Sequence, residues 1–189
     1  MKYYKKVIGK KCYLSPLCVD DAAKYTEWLN DLEVAINITI ASRSITAEGE
    51  RKLLENLSAD HNYAIVDART DTLIGNCGFM NLNQLHRTAD LGIFIGDKEY
   101  WGKGYGEEAV NLLTDYGFSI LNLRNIMLSV YSFNKRAIRC YEKCGFQLIG
   151  RRREALEIGG AVYDILFMDL LASEAKPSSI LAQAIITER

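Results

Sequence analysis

The hydrophobic pattern of this chain alternates between short apolar runs and longer stretches with helical spacing. Residues 91–95 and 126–130 are the clearest apolar runs, and such short runs indicate buried strands. Between them, apolar positions from Ala109 to Ile120 recur at helical spacing, which predicts an amphipathic helix. Along the whole chain, the pattern predicts strands at residues 12–17, 63–66, 73–79, 89–95, 126–130, 146–154 and 161–170.

Helix signals fall between these runs. Thr46 is a candidate N-cap, because its hydroxyl can accept a hydrogen bond from the first turn of a helix, and Gly145 is a candidate helix end. Residues 34–44 fit neither period, and residues 81–88 fit a polar loop. We predict helices from residue 20, at residues 48–57, from residue 106 to residues 121–122, at residues 134–144 and from Ser178 onward.

The order of these elements lacks the regular strand–helix–strand repetition of a doubly wound fold. It favours an α/β (α+β) domain with a mixed sheet and helices on both faces. The chain contains only two prolines, and no linker or internal repeat stands out. We therefore predict a single domain at residues 1–171, followed by a C-terminal appendage at residues 172–189.

A glycine-rich turn joins the strand at residues 89–95 to the helix after it. The turn contains three glycines at every second position, in the segment Tyr100-Trp101-Gly102-Lys103-Gly104-Tyr105-Gly106. Several backbone N–H groups and the positive end of a helix dipole together attract an anion at such a place. The segment therefore predicts a pyrophosphate site.

Two common phosphate motifs do not fit this turn. A P-loop requires Gly-Lys followed by Ser or Thr, and no glycine of the chain is followed in this way. A dinucleotide site requires G-x-G-x-x-G and an acidic residue after the next strand. Here the spacing is G-x-G-x-G, and the next strand ends in Tyr131 and Ser132. Dinucleotide binding is therefore disfavoured.

The turn resembles motif A of the GCN5-related N-acetyltransferase (GNAT) superfamily, [QR]-x-x-G-x-[GA]. Gly104 and Gly106 match its glycine half, whereas Trp101 stands where the superfamily often has Gln or Arg. The Trp form is similar to the branch that acetylates ribosomal-protein N-termini and to its polyamine-acetylating relatives. If the backbone N–H groups bind the phosphates, the loss of that polar side chain matters little.

A second segment resembles motif B of the same superfamily, N-x-x-[AS]-[IV]-x-x-Y-x-x-x-G-F. The residues in register are Asn134, Ala137, Ile138, Tyr141, Gly145 and Phe146. Glycine-rich turns are common, so neither motif is decisive alone, but both occur here in the right order. The resemblance covers residues 10–171, and residues 88–148 carry its specificity.

The resemblance implies an acetyl-CoA-dependent N-acetyltransferase in which a primary amine attacks the thioester directly. It also implies a mixed, mostly antiparallel central sheet of about six to seven strands with helices on both faces. Catalysis then depends on positioning in a cleft between the splayed central strands, at residues 89–95 and 126–130. Acetyl-CoA is the expected co-substrate, and no metal is expected. The implied cofactor-binding residues are Ile93, Phe94 and Ile95 for the pantetheine arm, and Trp101, Gly102, Lys103, Gly104, Tyr105 and Gly106 for the diphosphate.

Tyr141 is implied as the general acid that returns a proton to the departing CoA thiolate. A phenol with a reference pKa of about 10 is protonated at neutral pH and can donate. Its apolar stripe with Ala137, Ile138 and Cys144 also fits a tyrosine that only packs the inner face of a helix. Asn134 is both a candidate N-cap and a candidate CoA ligand.

Two further roles have several candidates each. Lys103, Lys135 and Arg136 are candidates for the CoA phosphates, although solvated surface charge explains them equally well. The attacking amine must lose a proton, and Asp90 is the first candidate for its base, with Glu33 and His86 behind it. A chain of waters is an open alternative.

Composition sets limits on partners and location. The formal net charge is −1, and the one basic triplet, Arg151-Arg152-Arg153, has no interleaved aromatic residues, so nucleic-acid binding is not expected. Five cysteines without a C-x-x-C pair favour reduced thiols in the cytosol. No apolar run approaches the ~18 residues that a membrane helix needs. We expect a cytoplasmic protein, with a homodimer common among such relatives.

The acceptor stays open between a protein N-terminus, a polyamine and another small amine. A polycation should meet a carboxylate-lined region, and residues 19–60 supply Asp20, Asp21, Glu27, Asp31, Glu33, Glu48 and Glu50. Solvated helix faces explain the same residues. The alternatives to an enzyme are a non-catalytic CoA-binding module on the same scaffold and an unrelated mononucleotide-binding protein.

Overall fold

The computed structural model describes residues 2–38, 40–176 and 180. Its strands are β1 (Val7–Ile8), β2 (Cys12–Pro16), β3 (Asn62–Asp67), β4 (Leu73–Asn83), β5 (Thr88–Ile95), β6 (Asn125–Tyr131), β7 (Gln147–Ile158) and β8 (Ala161–Leu171). Its α-helices are α1 (Ala22–Asn30), α2 (Leu32–Ala35), α3 (Ala47–Leu57), α4 (Tyr105–Ser119) and α5 (Lys135–Lys143). Short 3₁₀ helices lie at Val19–Asp21 and Lys98–Tyr100.

The strands of the described chain form one sheet in the order β1-β2-β3-β4-β5-β6-β8-β7. The pairs β1–β2, β2–β3, β3–β4, β6–β8 and β7–β8 are antiparallel. The β5–β6 pair is parallel, and its ladder runs from Thr88 opposite Asn125 to Asp90 opposite Met127. Both strands continue beyond that ladder. The sheet is therefore mixed and mostly antiparallel.

The chain divides into two compact units, and the first comprises Met1–Gly78 and Ile93–Leu112. Helix α1 buries Tyr25 and Trp28, which lie three residues apart on one face. Their rings contact each other and Phe94 edge to face, with Tyr25–Trp28 and Tyr25–Phe94 centroid distances of 5.6 and 6.0 Å. A Cβ at Gly96 would lie 2.2 Å from the Trp28 ring, so only glycine allows this packing. The aromatic cluster thus fixes the end of β5 against α1.

The second unit comprises Phe79–Gly92 and Leu113–Arg189. Its core contains buried side chains from neighbouring strands, because Ile126 and Leu128 of β6 stand opposite Leu170 and Met168 of β8. The β7–β8 hairpin turns at residues 159–160, where both glycines have positive φ angles of 58° and 79°. Two residues with positive φ form the turn type that matches the twist of paired strands.

The structure differs from the predicted elements most clearly at β1, at β4 and at residues 34–44. The sheet has an additional short strand, β1, whose two residues are too few for a sequence pattern. Strand β4 extends to Asn83, although the polar residues from Asn81 onward suggested a loop. The Asn81 side chain donates to the Asp90 carboxylate at 2.7 Å, and this polar pair joins the two strands. The irregular segment at residues 34–44 begins inside the short helix α2.

The remaining helix predictions can be compared with the structure in part. Thr46 caps α3, since its hydroxyl accepts from the Gly49 N–H, as predicted. The helix predicted from Ser178 onward lies, apart from Ile180, outside the described residues. Across the residues that the structure describes, no helix combines the length and the apolar character that a membrane crossing requires.

Candidate active site

The glycine-rich turn occupies residues 101–104, immediately before α4. Gly102 and Gly104 have φ angles of +71° and +85°, in the left-handed region that side chains disfavour. The first hydrogen bond of the helix runs from the Glu108 N–H to the Gly104 carbonyl at 3.0 Å. The N–H groups of Tyr105 and Gly106 precede that bond, so they have no acceptor within the helix. They lie at the positive end of a helix of 15 residues, which suits an anion.

Trp101 connects the turn to the end of β5. Its indole N–H donates to the Ile95 carbonyl at 2.8 Å, and its ring packs against the core of the first unit. Trp101 therefore anchors the turn, a role that the motif comparison left open. A pantetheine N–H that paired with the Ile95 carbonyl would therefore share this oxygen with the Trp101 indole.

The strand segment from Ile93 to Ile95, predicted to pair with the pantetheine arm, approaches β4 closely. A Cβ at Gly75 would lie 2.1 Å from the Phe94 carbonyl oxygen, which only glycine permits. The Phe94 side chain belongs to the aromatic cluster on α1. The backbone of this segment therefore packs against β4, and the Phe94 side chain packs against α1.

Asp67 links the two ends of the turn region, a role that the motifs did not indicate. Its side chain is 2% exposed and accepts hydrogen bonds from the hydroxyls of Tyr100 and Tyr105 at 3.3 and 3.4 Å. The two rings pack edge to face, 4.9 Å apart. Burial raises the pKa of Asp67, but hydrogen bonds from the Arg69 N–H, Thr70 and Tyr100 outweigh it, and the net pKa is lowered. The carboxylate is thus kept ionised beside the turn.

Lys11 also reaches the turn. Its ammonium donates to the Lys103 carbonyl at 2.7 Å, from the short connection between β1 and β2. Glu108 in the first turn of α4 accepts from the N–H groups of Lys10, Lys11 and Cys12 at 3.0, 2.7 and 2.8 Å. The sequence signal was only Gly9-Lys10-Lys11, a common surface pattern, so Lys11 could not be assigned from it.

Tyr141 lies on α5, in the second unit, and is 9% exposed. Its ring packs near Phe146, at a centroid distance of 6.0 Å. Burial raises the pKa of the Tyr141 phenol well above its usual value, and the neighbouring Cys140 and Cys144 add to the effect. Among the described residues, the Tyr141 hydroxyl has no hydrogen-bond partner. Every fully buried side-chain N or O atom of the described residues does have a partner, so this hydroxyl oxygen is not fully buried. The hydroxyl of Tyr141 is therefore available to donate a hydrogen bond to a ligand.

Asn134 is the N-cap of α5, as its type and position predicted. Its side-chain oxygen accepts from the Ala137 N–H at 3.0 Å. The side-chain amide group is not used by that bond and can donate elsewhere. Lys135 and Arg136 follow it in the first turn and are exposed.

The three candidate bases have different surroundings. The Asp90 carboxylate accepts from Asn81 and is half-buried on β5. Glu33 is ion-paired with Lys98 at 2.8 Å, and His86 lies exposed in the turn between β4 and β5. Asp90 is the one of the three that lies within a strand.

Of the seven acidic candidates named above for the acceptor region, six are paired with cations. Glu50 differs, because it is 4% exposed on α3 and no described residue hydrogen-bonds or ion-pairs with its carboxylate. Burial raises the pKa of the Glu50 carboxyl. The ion pairs of the others are Asp20–Arg51, Asp21–Lys2, Glu27–Lys24, Asp31–Lys98, Glu33–Lys98 and Glu48–Lys52.

Metal-ligating side chains do not cluster here: within the described ranges, no group of three or more His, Cys, Asp or Glu could hold an ion. The five cysteines are free thiols.

Comparison with known proteins identifies the family. The family model described as acetyltransferase (GNAT) domain matches residues 11–147. Uncharacterized N-acetyltransferase p20 of Bacillus licheniformis is 32% identical over 161 residues, which cover 82% of this chain and 90% of the relative. Spermidine N(1)-acetyltransferase of Vibrio cholerae is 36% identical over 117 residues, which cover 62% of this chain and 66% of the relative.

A solved structure agrees with these sequence matches. The crystal structure of spermidine N-acetyltransferase from Vibrio cholerae in complex with CoA and spermine has a TM-score of 0.76 and 27% identity. It covers 88% of this chain and 98% of that chain.

The chain belongs to the GNAT acetyltransferase family. It is an acetyl-CoA-dependent N-acetyltransferase, which confirms the enzymatic interpretation of the sequence. The mixed, mostly antiparallel fold is confirmed by the same comparisons. The alternative of a non-catalytic CoA-binding module gains no support from these relatives.

Proposed function

We propose that residues 101–106 bind the diphosphate of acetyl-CoA and that Tyr141 donates to the CoA sulfur as the thioester breaks. The observation that carries the proposal is the pair of left-handed glycines, Gly102 and Gly104, at the N-terminus of α4. This conformation exposes N–H groups at the positive end of the helix. The Asn134 side-chain amide and the exposed Lys103, Lys135 and Arg136 are further candidates for the cofactor.

The chemistry of the proposed reaction is a direct acyl transfer. The neutral amine nitrogen attacks the thioester carbon, the new C–N bond forms, and the C–S bond breaks to leave a thiolate. Tyr141 is protonated at neutral pH, and burial raises its pKa further, so the phenol can supply a hydrogen bond or a proton to that thiolate. The backbone amides at the end of β5, near Ile93 and Ile95, are candidates to polarise the thioester oxygen.

Asp90 is the proposed acceptor of the proton that the amine loses. Its carboxylate is held by Asn81, which fixes its direction. Asp90→Asn keeps the shape and removes the base, and general-base catalysis contributes about 10²–10⁴-fold. We expect kcat to fall by about 10²-fold with unchanged acetyl-CoA affinity, measured by thiol release and calorimetry. An unchanged kcat would exclude Asp90 and favour a water chain.

We propose a small primary amine of the polyamine class as the acceptor. The spermidine acetyltransferases among the relatives support this class. Glu50 offers a carboxylate without a cationic partner among the described residues, in the helical region expected to select the acceptor. The exposed ion pairs around it, such as Asp20–Arg51, are weak enough for a polycation to displace.

An acceptor screen tests the proposed function. The purified protein is incubated with acetyl-CoA and, separately, spermidine, spermine, an aminosugar and a peptide with a free N-terminus, while released thiol is counted. We expect turnover with the polyamines that exceeds turnover with the peptide. Turnover on the peptide alone would reassign the acceptor, and cofactor binding without turnover on any amine would contradict the proposed reaction.

A further inference from the structure

Lys11 lies at the glycine-rich turn although it is far away along the sequence. Its ammonium donates to the Lys103 carbonyl at 2.7 Å. A Cβ built on Gly104 would lie 3.3 Å from the same nitrogen, so the ammonium borders the space that this glycine leaves open. The nitrogen also lies over the Tyr105 ring, 5.8 Å from the ring centroid.

The position of Lys11 is fixed by the backbone around it. Glu108 binds three consecutive N–H groups of the β1–β2 turn, which attaches that turn to the first turn of α4. A Cβ at Gly9 would lie 2.7 Å from the Cys12 carbonyl and 2.9 Å from the Glu108 carboxyl carbon, so only glycine allows the approach. The contact between the β1–β2 turn and Glu108 therefore holds Lys11 beside the glycine-rich turn.

The charge of Lys11 has no carboxylate partner among the described residues. An ammonium has three donors, and the Lys103 carbonyl uses one of them. The Glu108 carboxylate, which binds the turn that carries Lys11, accepts hydrogen bonds from backbone N–H groups. Two N–H donors and a positive charge are left for an anion at the start of α4, where the first N–H groups have no acceptor within the helix.

We propose that Lys11 is a ligand of the cofactor's diphosphate. The proposal rests on the proposed function, in which residues 101–106 bind that diphosphate. Lys11 supplies, from another part of the chain, a cationic contact at a turn where Trp101 replaces the polar residue of the motif. Its hydrogen bond to the Lys103 carbonyl also keeps this oxygen directed toward the Lys11 ammonium rather than toward the phosphates.

Calorimetric titration of acetyl-CoA into wild type and Lys11→Met tests the proposal. A charge-assisted hydrogen bond contributes enough that its loss should weaken binding by about 10- to 100-fold. Lys11→Arg should restore most of the affinity, because it keeps the charge. Raising the KCl concentration should weaken wild-type binding more steeply than Lys11→Met binding, since screening acts on the missing charge.

Lys10→Met is the matched control. Lys10 is exposed in the same turn and also gives its N–H to Glu108, but its ammonium makes no hydrogen bond to residues 101–106 in the described structure. We expect its acetyl-CoA affinity to stay within about twofold of wild type. The melting temperatures of both variants without ligand should match wild type, because both side chains are exposed.

Ligand variants separate the phosphates. If Lys11 contacts the diphosphate, Lys11→Met loses affinity for CoA and for dephospho-CoA by the same factor, and the dissociation constant of inorganic pyrophosphate also rises. A loss seen with CoA but not with dephospho-CoA would place Lys11 at the 3′-phosphate and overturn the assignment. Unchanged affinity in Lys11→Met would overturn it as well. Wild-type protein that binds no acetyl-CoA would instead overturn the proposed function, and this proposal with it.

Discussion

Tyr141 combines two properties that a packing role alone does not require. Its ring is buried near Phe146, yet its hydroxyl has no partner among the described residues. Hydroxyls of buried tyrosines usually find a hydrogen bond within the protein. A donor left available in this way is suited to a ligand atom, here the sulfur of CoA.

Tyr141→Phe should therefore lower kcat and leave acetyl-CoA binding nearly unchanged. General-acid catalysis contributes about 10²-fold or more, so a loss of that size is expected. Steady-state kinetics and calorimetry measure the two quantities. Tyr116→Phe, at a tyrosine that is 8% exposed, controls for removing a buried hydroxyl. Equal kcat in wild type and Tyr141→Phe would assign Tyr141 to packing alone.

The pH dependence of kcat gives a second test of Tyr141. Burial raises its pKa, so the phenol stays protonated up to and beyond its reference value of about 10. Deprotonation of Tyr141 should consequently not reduce the kcat of the wild-type enzyme between pH 7 and 9, measured at saturating substrates. A decline in that range that is present in wild type and missing in Tyr141→Phe would contradict this assignment.

Asp67 should make the protein sensitive to acid. Its pKa in the folded chain is lowered, so its stabilisation is present above the unfolded value of about 3.9 and is lost as the pH falls through the folded value. Asp67→Asn removes this contribution. We expect the free energy of unfolding, measured with urea between about pH 2 and 5, to fall less steeply toward acid in the variant. Parallel curves would show that Asp67 does not contribute.

The turn between β5 and α4 offers a matched pair of glycines. Both have positive φ, so Ala costs about 1–2 kcal/mol of backbone strain at either position. A Cβ at Gly102 meets nothing within 4 Å, whereas one at Gly104 enters the space beside Lys11. We expect Gly104→Ala to weaken acetyl-CoA binding by about tenfold and Gly102→Ala by much less, measured by calorimetry. Equal losses would show that strain alone is responsible.

The elements were predicted from sequence where one signal dominated. The apolar runs that became β5 and β6 and the Thr46 cap of α3 depend on neighbouring residues. The end of β4 was missed, because the hydrogen bond from Asn81 to Asp90 joins residues on different strands. A local pattern does not contain such a pairing.

At the candidate site, too, features set by neighbouring residues were predicted, and contacts between residues distant in sequence were missed. The glycines of the turn and the cap Asn134 were recognised, because the motif residues are contiguous. Lys11 and Asp67 were not, since each reaches the turn only after the sheet has formed. The anchoring role of Trp101 was also missed, because a departure from a motif does not reveal its replacement contact.

Binding of acetyl-CoA should stabilise the folded chain as a whole. A ligand at 100 times its dissociation constant adds about 2.7 kcal/mol to the free energy of unfolding. For a chain of 189 residues, this corresponds to a rise in Tm of about 5–10 °C. Thermal melts with acetyl-CoA, CoA, ATP and NAD measure it. Stabilisation by ATP or NAD but not by acetyl-CoA would favour the mononucleotide-binding alternative.

The position of the cofactor's diphosphate is the central claim, and a crystal structure of the protein with CoA tests it most directly. The account predicts phosphate oxygens about 2.7–3.2 Å from the N–H groups of Tyr105 and Gly106 and from the Lys11 ammonium. A complex in which CoA is bound with its diphosphate away from residues 101–106 would contradict it.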